Sequence, residues 1–200
     1  MPLAYNKLCE IEDFSDETLC RNARELFPLD ADGLAAFPVG CEHRKYWEVS
    51  QAARTLVDFG AMHGEAKILG VGVAGSRRLF WATKYVRRVF ATDPYLDAGG
   101  WQETAPTSML HTPGAHATFD WNERRLVARH MNALELCYED RSFDGVFCSS
   151  SVESATTTTC ARPLVRCGGA QTGWNRSAND RIPGPRARPG PSGNAHVRRG

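Results

Sequence analysis

Two features of the sequence could do chemistry together. The first is the run Gly70-Val71-Gly72-Val73-Ala74-Gly75-Ser76, which continues the apolar residues Ile68 and Leu69. The second is Asp93, which closes the run Val89-Phe90-Ala91-Thr92, 18 residues beyond Gly75. The order is strand, glycine turn, helix, strand, acid. In a doubly wound α/β fold that order holds an adenosine-containing cofactor. Glycines let the backbone approach the ligand, and a carboxylate after the second strand accepts hydrogen bonds from two ribose hydroxyls. The spacing G-x-G-x-x-G also fits a nicotinamide dinucleotide. A glycine-rich turn that binds nothing is the bland alternative.

The elements that must position these residues can be read on either side of them. Glu10 to Phe27 reads as a helix capped by Ser15 or Asp16 and stopped by Pro28, with Leu19, Ala23, Leu26 and Phe27 as its apolar stripe. Residues 28–40 read as a loop. Tyr46 to Phe59 reads as a second helix, with Trp47, Ala53, Leu56 and Val57 available for packing. Ala66 to Val71 is the first strand. Ser76 to Arg88 is a helix with Leu79, Phe80, Ala82 and Val86 inward and Arg77, Arg78, Lys84 and Arg87 outward. Val89 to Thr92 is the second strand, Leu126 to Arg129 a weak third, and Asp144 to Ser149 the best later one. The expected organisation is an N-terminal helical or cap segment over 1–64, a Rossmann-like cofactor domain over 65–153 and a tail over 154–200.

That tail obeys different rules. Residues 154–200 hold eight arginines, no lysine and one acid, Asp180, whereas the first 153 residues hold 16 basic and 22 acidic side chains. A run of four threonines, five prolines and few aliphatics follow Glu153. Such a composition buries too little apolar area to offset a chain entropy of about 1–2 kcal/mol per residue, so disorder is expected. The arginines are not clustered and only Trp174 interleaves them, which argues against nucleic acid as a partner. The seven cysteines are scattered without a C-x-x-C pair, so neither a zinc site nor a disulfide framework is supported. No apolar run spans a membrane and no signal-peptide pattern stands at the N-terminus, which predicts a cytoplasmic protein.

The stretch Asn132 to Glu153 resembles the class I S-adenosylmethionine-dependent methyltransferases, in which a D/N-A … L-P-F-x-D-x-S-F-D-x-V run links the third strand to the fourth. Ser142-Phe143-Asp144-Gly145-Val146 matches closely, Leu136-Cys137-Tyr138 stands where Leu-Pro-Phe is common, and Asn132-Ala133 stands where the family contacts adenine. Ile68 to Ser76 then aligns with the family's first motif and Asp93 with its ribose-binding acid. The resemblance covers about residues 45–153. It departs from the pattern at Gly70, where the family carries an acid, at Ala74 and Ser76, where it carries glycines, and at Asn132, where Asp is more common.

The resemblance implies an α/β fold, a Rossmann-like, doubly wound, mostly parallel sheet, incomplete and carrying N-terminal helices. It implies S-adenosyl-L-methionine held by Gly70, Gly72, Ala74, Gly75, Asp93, Asn132 and Ala133, and methyl transfer to an unnamed acceptor by SN2 displacement. No metal is implied and no catalytic side chain is singled out. Beside it stand an NAD(P)-dependent oxidoreductase, and a non-catalytic truncated fragment or binding module. His43, Arg44, Tyr46 and Trp47 would cover the cleft or simply pack. His130 would be a base or a strand-end residue, and Glu153 an acceptor-side acid or a loop acid. His111 and His116 read as surface. The family's later L-K/R-P-G-G turn is missing as written, but a reading frame one base later permits it across Gly169–Asn175. A chain truncated or frameshifted after about residue 153 is therefore expected.

Overall fold

Alternation of short apolar strands with amphipathic segments builds a four-stranded parallel sheet in the order β3-β2-β1-β4. The computed structural model describes Tyr5, residues 7–96 and residues 105–148. The strands are β1 (Lys67–Val71), β2 (Arg88–Asp93), β3 (Leu126–His130) and β4 (Gly145–Cys148). The α-helices are α1 (Glu17–Leu26), α2 (Pro28–Ala31), α3 (Arg44–Asp58) and α4 (Arg77–Ala82). The expected tail over 154–200 and Glu153 lie outside the described residues.

Strand alternation divides the apolar side chains between two faces. Ile68, Val89, Ala91 and Phe147 point to one face, where α1, α3 and α4 contribute Leu26, Ala53, Leu56, Leu79 and Phe80 to the main core. Leu69, Val71, Phe90 and Val146 point to the other, where Phe143, Leu136 and Tyr138 of the loop before β4 cover them. Among the described residues this second face is covered by a loop and not by a helix. The N-terminal helices share the main core with the sheet. They are held there by polar ties. Buried Arg54 of α3 bonds Asp16, the cap of α1, at 3.3 Å and Asp58 at 3.2 Å. Glu25 of α1 accepts from Trp81 Nε1 at 2.9 Å, and Asp30 of α2 pairs with Arg77 at 2.8 Å, so α4 is fixed at its start and end.

Several local expectations are corrected. The first helix is split: a 3₁₀ turn over Ile11–Ser15 precedes α1, because the Asp16 carboxylate takes the Leu19 N–H and restarts the helix. Pro28 stops α1 and also starts α2 as its first residue, where a missing N–H costs nothing. Val57 is half exposed rather than packed. α4 is six residues long rather than thirteen. Thr83 ends it, bonding back to the Phe80 carbonyl at 2.6 Å and accepting the Asn122 N–H at 3.0 Å. Arg78, expected outward, is buried.

The run Ser142–Val146 has a structural reading residue by residue. Ser142 Oγ donates to the Glu139 carbonyl at 2.7 Å. Phe143 is buried against Phe90 and Tyr138, with ring centroids at 5.3 and 4.9 Å. Asp144 accepts the Lys67 N–H at 2.8 Å through Oδ2, and its own N–H donates to the Lys67 carbonyl at 2.9 Å. Gly145 has no room for a side chain: a Cβ would stand 2.9 Å from Ala61 Cβ and Ile68 Cδ1. Together these residues set the register Ile68↔Gly145 that joins β4 to β1.

Candidate cofactor site

β1 has β2 on one side and β4 on the other, so the chain reverses its direction of travel across the sheet at the β1–β4 pair. Open α/β sheets bind ligands outside the carboxyl ends of the strands at that switch point. The glycine turn leaves β1 there. Gly72, at φ +60°, takes the left-handed conformation, and its N–H donates to the Thr92 carbonyl at 2.8 Å. Ala74, at φ +46°, is left-handed as well, which costs a non-glycine residue about 1–2 kcal/mol. Two bonds hold it in that state. Its N–H donates to Asp93 Oδ2 at 2.8 Å, and its carbonyl accepts from the hydroxyl of fully buried Tyr95 at 2.8 Å. Gly70 lies within β1, where a Cβ would meet Val73 Cγ1 at 2.9 Å and Phe147 Cζ at 3.0 Å. Any side chain at that position would have to displace Val73 or Phe147.

Asp93 is the last residue of β2 and is 6% exposed. Burial holds its carboxyl above the usual carboxylate range, and the Ala74 N–H partly opposes that shift. Burial, then the charge of Asp93, raises the Tyr95 hydroxyl, which therefore stays protonated and donating. The Met131 N–H donates to the Asp93 carbonyl at 3.0 Å, which brings the segment after β3 alongside the acid. Asn132 and Ala133 follow directly. Asn132 is exposed and its Oδ1 accepts the Leu134 N–H at 3.0 Å in a tight turn, while Ala133 packs partly against the second core.

The turn and Asp93 are thus in direct contact, with Asn132 and Ala133 one and two residues beyond Met131. Gly75 is closed on one side by His116, whose Cβ would lie 3.2 Å from an added Cβ. His116 is not a surface residue: it is half-buried and its Nε2 stands 2.8 Å from Ser108 Oγ. His130 is exposed at the end of β3, and its Nδ1 accepts the Leu96 N–H at 3.2 Å. His43 caps α3 by accepting the Lys45 N–H, and Tyr46 packs edge-on against Phe27 and Phe37 at 4.8 Å. These contacts account for both residues as cap and core. Tyr95 and the inward turn of Arg78 carried no sequence signal, because Ala74 and Phe147, which they meet, are distant in the chain, and no local pattern marked the Ser108–His116 pair. Among the described residues no three His, Cys, Asp or Glu side chains are grouped to hold a metal, the cysteines are free, and no helix is long and apolar enough to cross a membrane.

No protein-family model matches the chain, and no curated protein sequence matches it. Among solved structures, the YcgJ protein of Bacillus subtilis is 15% identical with a TM-score of 0.34, over 48% of this chain and 36% of that one. Phosphoethanolamine N-methyltransferase 1 of Haemonchus contortus, solved with phosphoethanolamine and S-adenosylhomocysteine, is 16% identical with a TM-score of 0.34, over 64% of this chain and 26% of that one. The chain spans about a third and a quarter of the length of these two proteins.

Proposed function

We propose that the switch-point site binds S-adenosylmethionine and that the chain is a methyltransferase or a part of one. The observation that carries this reading is the hydrogen bond between Asp93 Oδ2 and the Ala74 N–H. It fixes a buried carboxylate at the mouth of a turn that has no side chain at Gly72. The donor set fits the cofactor: a carboxylate for two ribose hydroxyls, and a bare backbone for the chain beyond them. Asn132 and Ala133 would border the adenine. The resemblance through Ser142–Val146 favours S-adenosylmethionine over a nicotinamide dinucleotide.

When bound, the cofactor supplies an electrophilic methyl group on a sulfonium. The chain's own work is then binding, alignment and exclusion of water, and it needs no nucleophile. Asp93 would orient the ribose, the Tyr95 hydroxyl would keep Ala74 in its left-handed state, and Thr92, whose hydroxyl donates to the Gly70 carbonyl at 3.1 Å, would brace the turn.

Ultraviolet crosslinking of methyl-tritiated S-adenosylmethionine to the full chain tests the reading. Label should fall within 67–93 or 130–134 and be competed by S-adenosylhomocysteine but not by NAD. Label elsewhere, or equal competition by NAD, would count against it.

A further inference from the structure

Arg78 is the one arginine of α4 that turns inward. It is 3% exposed. Its Nε donates to Ser76 Oγ at 3.4 Å, and its guanidinium carbon stands 5.0 Å from the centroid of the Phe147 ring. Nη1 is buried without a hydrogen-bond partner among the described residues. Glu48 of α3 is near enough to favour the charge, but its carboxylate is already bonded to Arg44 at 3.3 Å and Lys45 at 3.1 Å. Burial pushes the guanidinium down to about 10, with Glu48 and Cys148 opposing, so it remains a cation at neutral pH. A buried cation with an idle donor is costly unless something pairs with it. Its location says what that is. Ser76 closes the glycine turn and Phe147 is the penultimate residue of β4, so the idle donor stands between the turn and the carboxyl end of β4.

We propose that Arg78 is an anion receptor in the wall of the switch-point crevice, and that the ligand it serves carries a carboxylate or phosphate group. The planar guanidinium keeps one face on Phe147 and offers its edge to an oxyanion, a geometry a lysine cannot reproduce. The proposal rests on the crevice being the ligand site described above. Two sources could supply the anion: the amino-acid carboxylate of the cofactor, or an anionic methyl acceptor.

The test uses the full chain, wild type and Arg78→Met and Arg78→Lys. Inorganic phosphate, added against chloride at equal ionic strength, should raise the wild-type thermal midpoint saturably. Arg78→Met should lose that shift, and Arg78→Lys should need about tenfold more phosphate. Without phosphate, Arg78→Met should melt no lower than wild type, because an apolar chain of similar length replaces an unpaired buried charge. A second arm compares S-adenosylhomocysteine with 5′-methylthioadenosine, which lacks the amino-acid part. If the cofactor supplies the anion, Arg78→Met weakens the first about tenfold or more and spares the second. If the acceptor supplies it, both affinities survive while the phosphate shift is lost. A phosphate shift without binding of either nucleoside supports the receptor and rejects the cofactor reading. A wild-type midpoint indifferent to phosphate, or an equal shift in Arg78→Met, overturns the proposal and leaves Arg78 as a packing residue.

Discussion

In the proposed site Asp93 would serve two ends with opposite signs. Burial raises its carboxyl above the usual range, so the empty fold gains from protonation. That gain is present below the ordinary aspartate value and lost as pH rises through the raised one. Ribose binding needs the ionised form, so cofactor affinity should fall as pH drops, and should start to fall above the pH where an ordinary aspartate titrates. Asp93→Asn separates the two ends. An amide oxygen can still take the Ala74 N–H, so the variant should melt no lower than wild type at neutral pH. Its affinity for S-adenosylhomocysteine should fall about tenfold or more, as expected for loss of hydrogen bonds to a charged group. Equal affinity by calorimetry would reduce Asp93 to a brace for the turn. At this scale the sequence was informative where residue type and conformation are locked together. Gly72 must be left-handed, and the acid after β2 follows from spacing. Arg78 was misread because helical periodicity puts an arginine outside by default, and the side chain was instead captured by Phe147 of a strand nearly seventy residues later.

The elements were legible wherever a local pattern and the sheet agreed. All four strands stand within a residue or so of the apolar runs that announce them; the central strand β1, with four buried residues in a row, has the most continuous run, and the edge strand β3, with none buried, the weakest. The helices were less legible. α4 is cut short by Thr83, whose hydroxyl competes for the Phe80 carbonyl, and the rest of the expected helix becomes turns that bring Val86 into the core. β4 depends on Gly145, whose missing Cβ lets the strand approach α3 and β1 closely enough to pair. Gly145→Ala should therefore cost about 1–3 kcal/mol, because its Cβ meets Ala61 and Ile68 at 2.9 Å and Leu56 at 3.0 Å. Urea denaturation followed by circular dichroism measures this. An unchanged midpoint would mean that these neighbours yield, and that β4 does not depend on close approach.

For the molecule as a whole, the order β3-β2-β1-β4 gathers the turn, Asp93, the segment after β3 and the inward Arg78 at the carboxyl ends of the strands. Residues from three separate stretches of sequence, those that follow β1, β2 and β3, meet at one edge because each parallel strand ends in the same direction. The fold class could be read from the alternation of strands and helices, and so could the place of the turn. The loop that covers the second face could not, since Leu136, Tyr138 and Phe143 acquire a role only once β4 is set beside β1. S-adenosylmethionine is the ligand proposed for this edge. Isothermal titration of the full chain with S-adenosylhomocysteine and, separately, with NAD tests that assignment most directly. Saturable binding of S-adenosylhomocysteine at least about tenfold tighter than that of NAD is expected, a gap of roughly 1.4 kcal/mol. Tighter binding of NAD, or no binding of S-adenosylhomocysteine, would contradict it.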